Sequence, residues 1–277
     1  MASRTSRKSK AKGITQGEVL DVEELSTPRA PVIYEVVRRL GEEEIKRPPI
    51  SLWWSGVAAG LSISFSLLAQ AILMQHLPEA PWQKLVTSLG YSVGFLMVIL
   101  GRQQLFTEST ITAVLPVLKN LTASNLVRMA RLWAIVLVAN VAGTLFAAVF
   151  VTFAMAVPAE TKEFMLAISR ELKDIGWWQM LFRGVSSGFL IAAMVWMLPA
   201  AETAKVAVIT LMTWLIAVGS FTHIVAGSME AWLIVLSGDW TLWQMAAQFF
   251  APVLIGNMIG GTVLFALISY AQVMEEI

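Results

Sequence analysis

The sequence predicts an all-α membrane protein of six spans, built as an inverted repeat with interrupted second and fifth spans. Three observations carry that prediction. Long apolar runs alternate with short polar links through most of the chain. Landmarks recur in the same order in the two halves. Gly56-Val57-Ala58-Ala59-Gly60 is answered by Gly184-Val185-Ser186-Ser187-Gly188, Phe106-Thr107-Glu108 by Phe221-Thr222-His223, and Asn140-Val141-Ala142-Gly143 by Asn257-Met258-Ile259-Gly260. Finally, the middle apolar run of each half is broken by polar residues and glycine. A unit with an odd number of spans re-enters the bilayer from the opposite side, so its copy is inverted. Such repeats place a site near the midplane, where broken helices meet.

Composition agrees. The 277 residues are 57% hydrophobic and 14% charged, against about 25% charged in a soluble domain. With no cysteine there is no disulfide framework, iron–sulfur cluster or thiolate zinc site. A net charge of +1 singles out no acidic partner, and no nucleic acid is expected. No nucleotide loop, metal cluster or nucleophile–base pair is present. An enzyme is therefore not expected, and no cofactor.

Taken in order, residues 1–30 read as a disordered tail, rich first in Ser, Lys and Arg and then in acids. Residues 31–48 read as an amphipathic helix, with Val32, Ile33, Val36, Val37 and Leu40 on one face and Pro48-Pro49 as the stop, resting on the membrane surface. The channel-like domain covers 49–274. Its first span is 51–74, with Trp53 and Trp54 at an interface. The second, 84–118, is too long and too polar in the middle for one clean helix. The third is 129–156 and the fourth 178–198. The fifth, 205–236, is interrupted at Gly219-Ser220-Phe221-Thr222-His223 and again at Gly227. The sixth is 242–272. Unwound backbone at membrane depth is tolerated only where protein buries it or it lines a cavity. Most of the eleven Trp and fourteen Met are expected as interface anchors and packing. His76 reads as a loop residue.

Ten of the twenty Lys and Arg precede Ser51. Lys119, Arg128, Arg131 and Lys205 fall in links on the same side. The positive-inside rule therefore puts both termini in the cytoplasm of a multi-pass cell (inner) membrane protein.

His223 is the leading candidate for function, because an ionisable group inside a span is expensive and usually functional. Asn140 and Asn257 are expected to bond the unwound backbone of the neighbouring broken span rather than to touch substrate. Gly219 and Gly227 are expected to support the break.

Leu105-Phe106-Thr107, Gly219-x-x-x-His223-x-x-Ala226 and Gly256-Asn257-Met258-Ile259-Gly260-Gly261, in this order, resemble the formate/nitrite transporter family over residues 45–272. The resemblance implies an aquaporin-like protomer in a homopentamer, passing small monovalent anions or their neutral acids, with or without a proton. It implies two apolar constrictions flanking His223, the inner one formed by Leu105 and Phe106 with Thr107 near the histidine. Lys173 is similar to the family's vestibule lysine. The chain departs from the pattern at Thr222, where the family has Glu, and at Glu108, where it has a small or amide residue. Gly227 and Gly188 stand where it has Asn, and Arg102-Gln103-Gln104 precede Leu105. One expectation is that Glu108 accepts a hydrogen bond from His223 or the fifth-span loop, replacing the carboxylate missing at 222. The other is that it faces the inner vestibule in water. Alternatives to anion passage are a pore for a neutral solute or a cation, and a non-conducting scaffold.

Overall fold

The computed structural model describes Thr15 and residues 27–277, so the expected tail falls almost wholly outside the described residues. Every regular element among the described residues is helical. Helix α1 (Ala30–Lys46) starts on Pro31, whose fixed φ suits a first turn, and stops at Arg47-Pro48. Glu35 bonds both Arg38 and Arg39 one turn on.

The spans follow. Helix α2 (Pro49–His76) is the first. The second comprises α3 (Gln83–Leu100), a break, α4 (Phe106–Thr112) and α5 (Val114–Lys119). Helix α6 (Ala123–Phe153) is the third, beginning six residues before its expected start because Thr122 caps it by accepting the Asn125 N–H. A helix not foreseen in the sequence, α7 (Ala159–Arg170), leads to the fourth span, α8 (Trp177–Met197). The fifth is α9 (Lys205–Val218), a break, and α10 (Ala226–Leu236). The sixth is α11 (Leu242–Val273), which loosens into π-helical turns at Met245–Phe250 and Ile259–Ala266, on either side of Asn257. By length and composition, five of these helices are long and apolar enough to cross a membrane, α3 of the broken second span among them. The fifth span crosses as two half-helices. His76 is the last residue of α2 rather than a loop residue, its Nδ1 2.8 Å from the Ile72 carbonyl oxygen.

Spans one and three of each half pack with backbones almost touching. A Cβ on Gly60 would lie 2.9 Å from the Cα of Gly143, and one on Gly260 2.1 Å from the Val185 carbonyl oxygen. Small residues allow such approach, and it brings Asn140 and Asn257 within reach of the breaks.

Helix α1 packs on the protein, not only on a membrane surface as expected. Tyr34, Val37, Arg38 and Gly41 are buried. A Cβ on Gly41 would overlap the Thr112 carbonyl oxygen, so only glycine lets α1 lie against the end of α4. This end of the molecule is called the α1 face below; the opposite end is the far face.

Candidate functional site

The two breaks share one backbone design. Helices α3 and α9 each end on glycine followed by a left-handed non-glycine residue, Arg102 at φ 53° and Ser220 at φ 51°. The Gln103 N–H then closes on the Val98 carbonyl (3.0 Å), as the Phe221 N–H closes on Ile216 (2.9 Å). Each is a Schellman stop. A non-glycine residue in that conformation costs about 1–2 kcal/mol, which the surrounding structure must offset.

An asparagine then holds each loop. Asn140 Oδ1 accepts the Phe106 N–H (2.9 Å), while its Nδ2 donates to the Gln104 and Gly56 carbonyls (2.9 Å each). Asn257 Oδ1 accepts the Ile224 N–H (2.9 Å), and its Nδ2 donates to the Thr222 carbonyl (3.0 Å), the Gly184 carbonyl and Ser187 Oγ (2.9 Å each). Backbone groups freed by unwinding are thereby satisfied inside the protein.

These bonds correct the repeat register. Gln104-Leu105-Phe106 is the counterpart of Thr222-His223-Ile224. The sequence match of Phe106-Thr107-Glu108 to Phe221-Thr222-His223 followed a shared Phe-Thr pair and is out by three residues. Leu105 therefore mirrors His223, and Glu108 mirrors Ala226.

His223 is 2% exposed and sits where the two broken spans meet. Its Nε2 lies 2.8 Å from Thr107 Oγ1, and its Nδ1 accepts the Ala226 N–H (3.1 Å). A main-chain N–H can only donate, so Nδ1 carries the lone pair and Nε2 carries the proton, pointed at the Thr107 hydroxyl. The Phe95 ring meets the imidazole edge-on at 5.1 Å. Leu105 and Phe106 are completely enclosed beside this pair, and Trp133 packs on Phe106.

Glu108 does not reach the histidine. Both ring nitrogens are committed elsewhere, and the charged neighbours of Glu108 are Glu44 and Arg102, toward the α1 face. The expected Glu108–His223 bond is therefore absent. Around Glu108 the α1 face is tied together by Arg47 on Gln104 Oε1 (2.9 Å) and by the Thr112 hydroxyl on Glu44 (2.5 Å). Burial raises the Glu44 carboxyl above its ordinary value, against the Thr112 bond. The Thr222 hydroxyl donates to the Met180 carbonyl (2.7 Å), stapling the loop to α8. Gly219 and Gly227 leave room for rings: a Cβ at either would lie 2.7–2.8 Å from Phe221 or Phe249.

A cavity of about 570 Å³ descends from the far face to His223, passing Phe221, Thr222 and Gly227. Lys173 does not line it; its Nζ lies 3.7 Å from Asp239, which also accepts from Arg170 at 2.7 Å. The Arg170 guanidinium holds the Asp239 carboxyl below its ordinary value. The charged residues lining the cavity are Lys84, Arg183, Glu171, Asp174 and Glu230. Sequence reasoning singled out neither Arg183 nor Glu230, although each is a lone charge in an apolar stretch. That was the signal available for both.

Fold and site together define a membrane transport protein: six spans in an inverted repeat, with a polar pair where two broken spans meet beneath an open cavity. Residues 31–271 match the family model "Formate/nitrite transporter", and the chain belongs to that family. Among its relatives is the inner membrane protein YfdC of Escherichia coli K12, 43% identical over 262 residues, covering 94% of this chain and 84% of that one. The formate channel FocA of Haemophilus influenzae is 29% identical over 163 residues, 57% of this chain and 56% of its own. A solved pentameric formate channel with formate bound superposes with TM-score 0.68 at 20% identity, over 82% of this chain and 98% of that one. A solved ion channel of the same family gives 0.74 at 18%, over 88% and 98%.

Proposed function

We propose that the chain passes small monovalent anions, or their neutral acids, one pore per protomer of a homopentamer. The membrane is the inner one, and the α1 face with both termini lies in the cytoplasm. The His223–Thr107 pair at the cavity floor carries the reading. A formate-sized anion entering a dry passage loses hydration at a cost of several kcal/mol. Donors held at the narrowest point offset part of that cost, and the Thr107 hydroxyl is such a donor, its oxygen accepting from Nε2–H and its proton free to point at the anion. Helix α10, starting three residues after His223, adds its positive end on the same side. Leu105 and Phe106 close the passage below the pair and act as the constriction toward the cytoplasm.

Proteoliposomes holding the purified protein test this. Formate, nitrite, hydrosulfide or lactate should cross, with glycerol and potassium as controls. Passage of only glycerol or potassium would replace the reading by a neutral-solute or cation pore. Passage of nothing would leave a membrane scaffold.

A further inference from the structure

Within the membrane-spanning helices, the cavity wall holds two charged-type side chains with no hydrogen-bond or ion-pair partner among the described residues. Arg183 of α8 and Glu230 of α10 both line it, and neither has a hydrogen bond or ion pair among the described residues. Glu171 and Asp174, on the link before α8, line the cavity without a partner as well, while the other basic groups nearby are tied. Lys84 donates to Ser220 Oγ at 2.7 Å, and Arg170 and Lys173 share Asp239. A charged group in a membrane segment normally faces a cavity and finds a partner. These two face the cavity, where whatever fills it can reach them.

Glu230 lines the cavity that ends at His223. His223, Gly227 and Glu230 all line the cavity. Gly227 and Glu230 share one face of α10, and His223 sits just before that helix, its carbonyl accepting the Gly227 N–H (2.9 Å), which puts Glu230 on the order of 10 Å farther out. Gly227 between them has no side chain, and the Phe249 ring lies over it. The helices packed on α10 bring few competing groups. Helix α2 contributes Gln70 and Met74, α7 contributes Ile168, and α11 contributes Phe249. The titratable groups facing the same space are Lys84, Tyr91, Glu171, Asp174, Arg183 and His223.

The histidine itself is poorly arranged to give a proton away. Its Nδ1 is occupied by the Ala226 N–H, so its one proton is the Nε2–H, directed at Thr107. A proton travelling with the substrate therefore needs another donor.

We propose that Glu230 and Arg183 form an outer loading station, where Arg183 holds the incoming weak-acid anion and Glu230 gives it a proton before it reaches His223. This rests on the anion reading above. The step balances: the Glu230 carboxylic acid and the anion A⁻ become the Glu230 carboxylate and neutral HA. The O–H bond of Glu230 breaks, and one forms on A⁻. HA then passes the histidine, and Glu230 is reprotonated by water on the far face. The net event is anion plus proton, moving together.

The test uses the full-length protein in liposomes with radiolabelled formate as probe and the far-face pH varied. Wild-type uptake should rise as that pH falls. Glu230→Gln should slow uptake about tenfold or more and flatten its pH profile, in keeping with loss of a positioned proton donor. Glu230→Asp should restore both in part. Arg183→Gln should raise the half-saturating formate concentration while keeping the pH midpoint. A pH profile of Glu230→Gln superimposable on wild type would overturn the proposal. Infrared difference spectra supply a readout without flux. A carboxylic-acid band that titrates with far-face pH in the wild type and vanishes in Glu230→Gln is expected. No such band would sink the station even if formate crosses. No flux with the band present would instead sink the anion reading, and with it the loading role.

Discussion

The two breaks are alike in backbone and unlike at their centres. Both helices stop in the same way, both next residues are left-handed, and both loops hang on an asparagine from the third span of their half. One loop presents Leu105 at its centre, the other His223. The asparagines also differ: Asn140 Nδ2 has one acceptor for each of its two protons, whereas Asn257 Nδ2 has three acceptors sharing two protons. The inverted repeat thus supplies a symmetric frame, and the chemistry comes from breaking the symmetry at one position. The faces outside the loops differ as well. The α1 face is filled by α1 and by the contacts of Arg47 and Glu44, while the far face opens into the cavity.

The largest expected effect comes from erasing the difference at the centres. His223→Leu makes both loops apolar and should reduce weak-acid flux to the level of empty liposomes, with the oligomer intact. The exchange Leu105→His with His223→Leu moves the imidazole to the other loop. It should not rescue flux, because the Ala226 N–H and Thr107 would no longer set its tautomer. Full rescue would mean that only the presence of a histidine matters.

A smaller effect separates the two asparagines. Asn257→Ala and Asn140→Ala each strand buried backbone groups, at about 1–3 kcal/mol for a group left unpaired. The Asn140 change should lower the thermal midpoint in detergent further, since it strands both the Phe106 N–H and the Gln104 carbonyl, whereas without Asn257 the Thr222 carbonyl keeps the Ser187 hydroxyl (2.5 Å). The reverse order would show that the histidine loop, not the α1-face loop, limits stability.

The smallest effect concerns the faces. Glu44 has a raised carboxyl, so its protonated form is favoured when α1 is docked. That stabilisation is complete below the ordinary carboxylate value and is lost as pH rises through the raised one. Hydrogen exchange in α1 should accordingly quicken over that window, and Glu44→Gln should remove the dependence. Glu35 contributes oppositely. Arg38 and Arg39 hold it down to about 2, so its share persists above the ordinary value and fades only in strong acid. An α1 exchange rate flat from acid to alkaline pH would remove Glu44 from the docking account.

Much was legible in the sequence, and for a physical reason. Spans announce themselves because lipid demands apolar length. Broken spans announce themselves because polar residues and glycine at that depth are costly. His223 stood out as a lone ionisable group in such a break, and the paired Asn-x-x-Gly segments stood out by repetition. The register of the two loops did not. A shared Phe-Thr pair outweighed three residues of offset, since a sequence match sees side-chain letters and not which carbonyl an asparagine reaches. Likewise α7 was hidden among mixed charges, and Lys173 was placed by resemblance while its actual neighbour, Asp239, comes from a distant link.

The sequence by itself determined a six-span repeat with two interrupted spans and a histidine in one of them, because burial in lipid and the cost of unpaired backbone act locally along the chain. Only the tertiary structure decided that Leu105 mirrors His223, that Thr107 and not Glu108 meets the imidazole, and that Arg183 and Glu230 share a cavity. Those contacts join residues on separate spans. Their distances are set by how closely glycine-lined helices approach, and no local pattern records that.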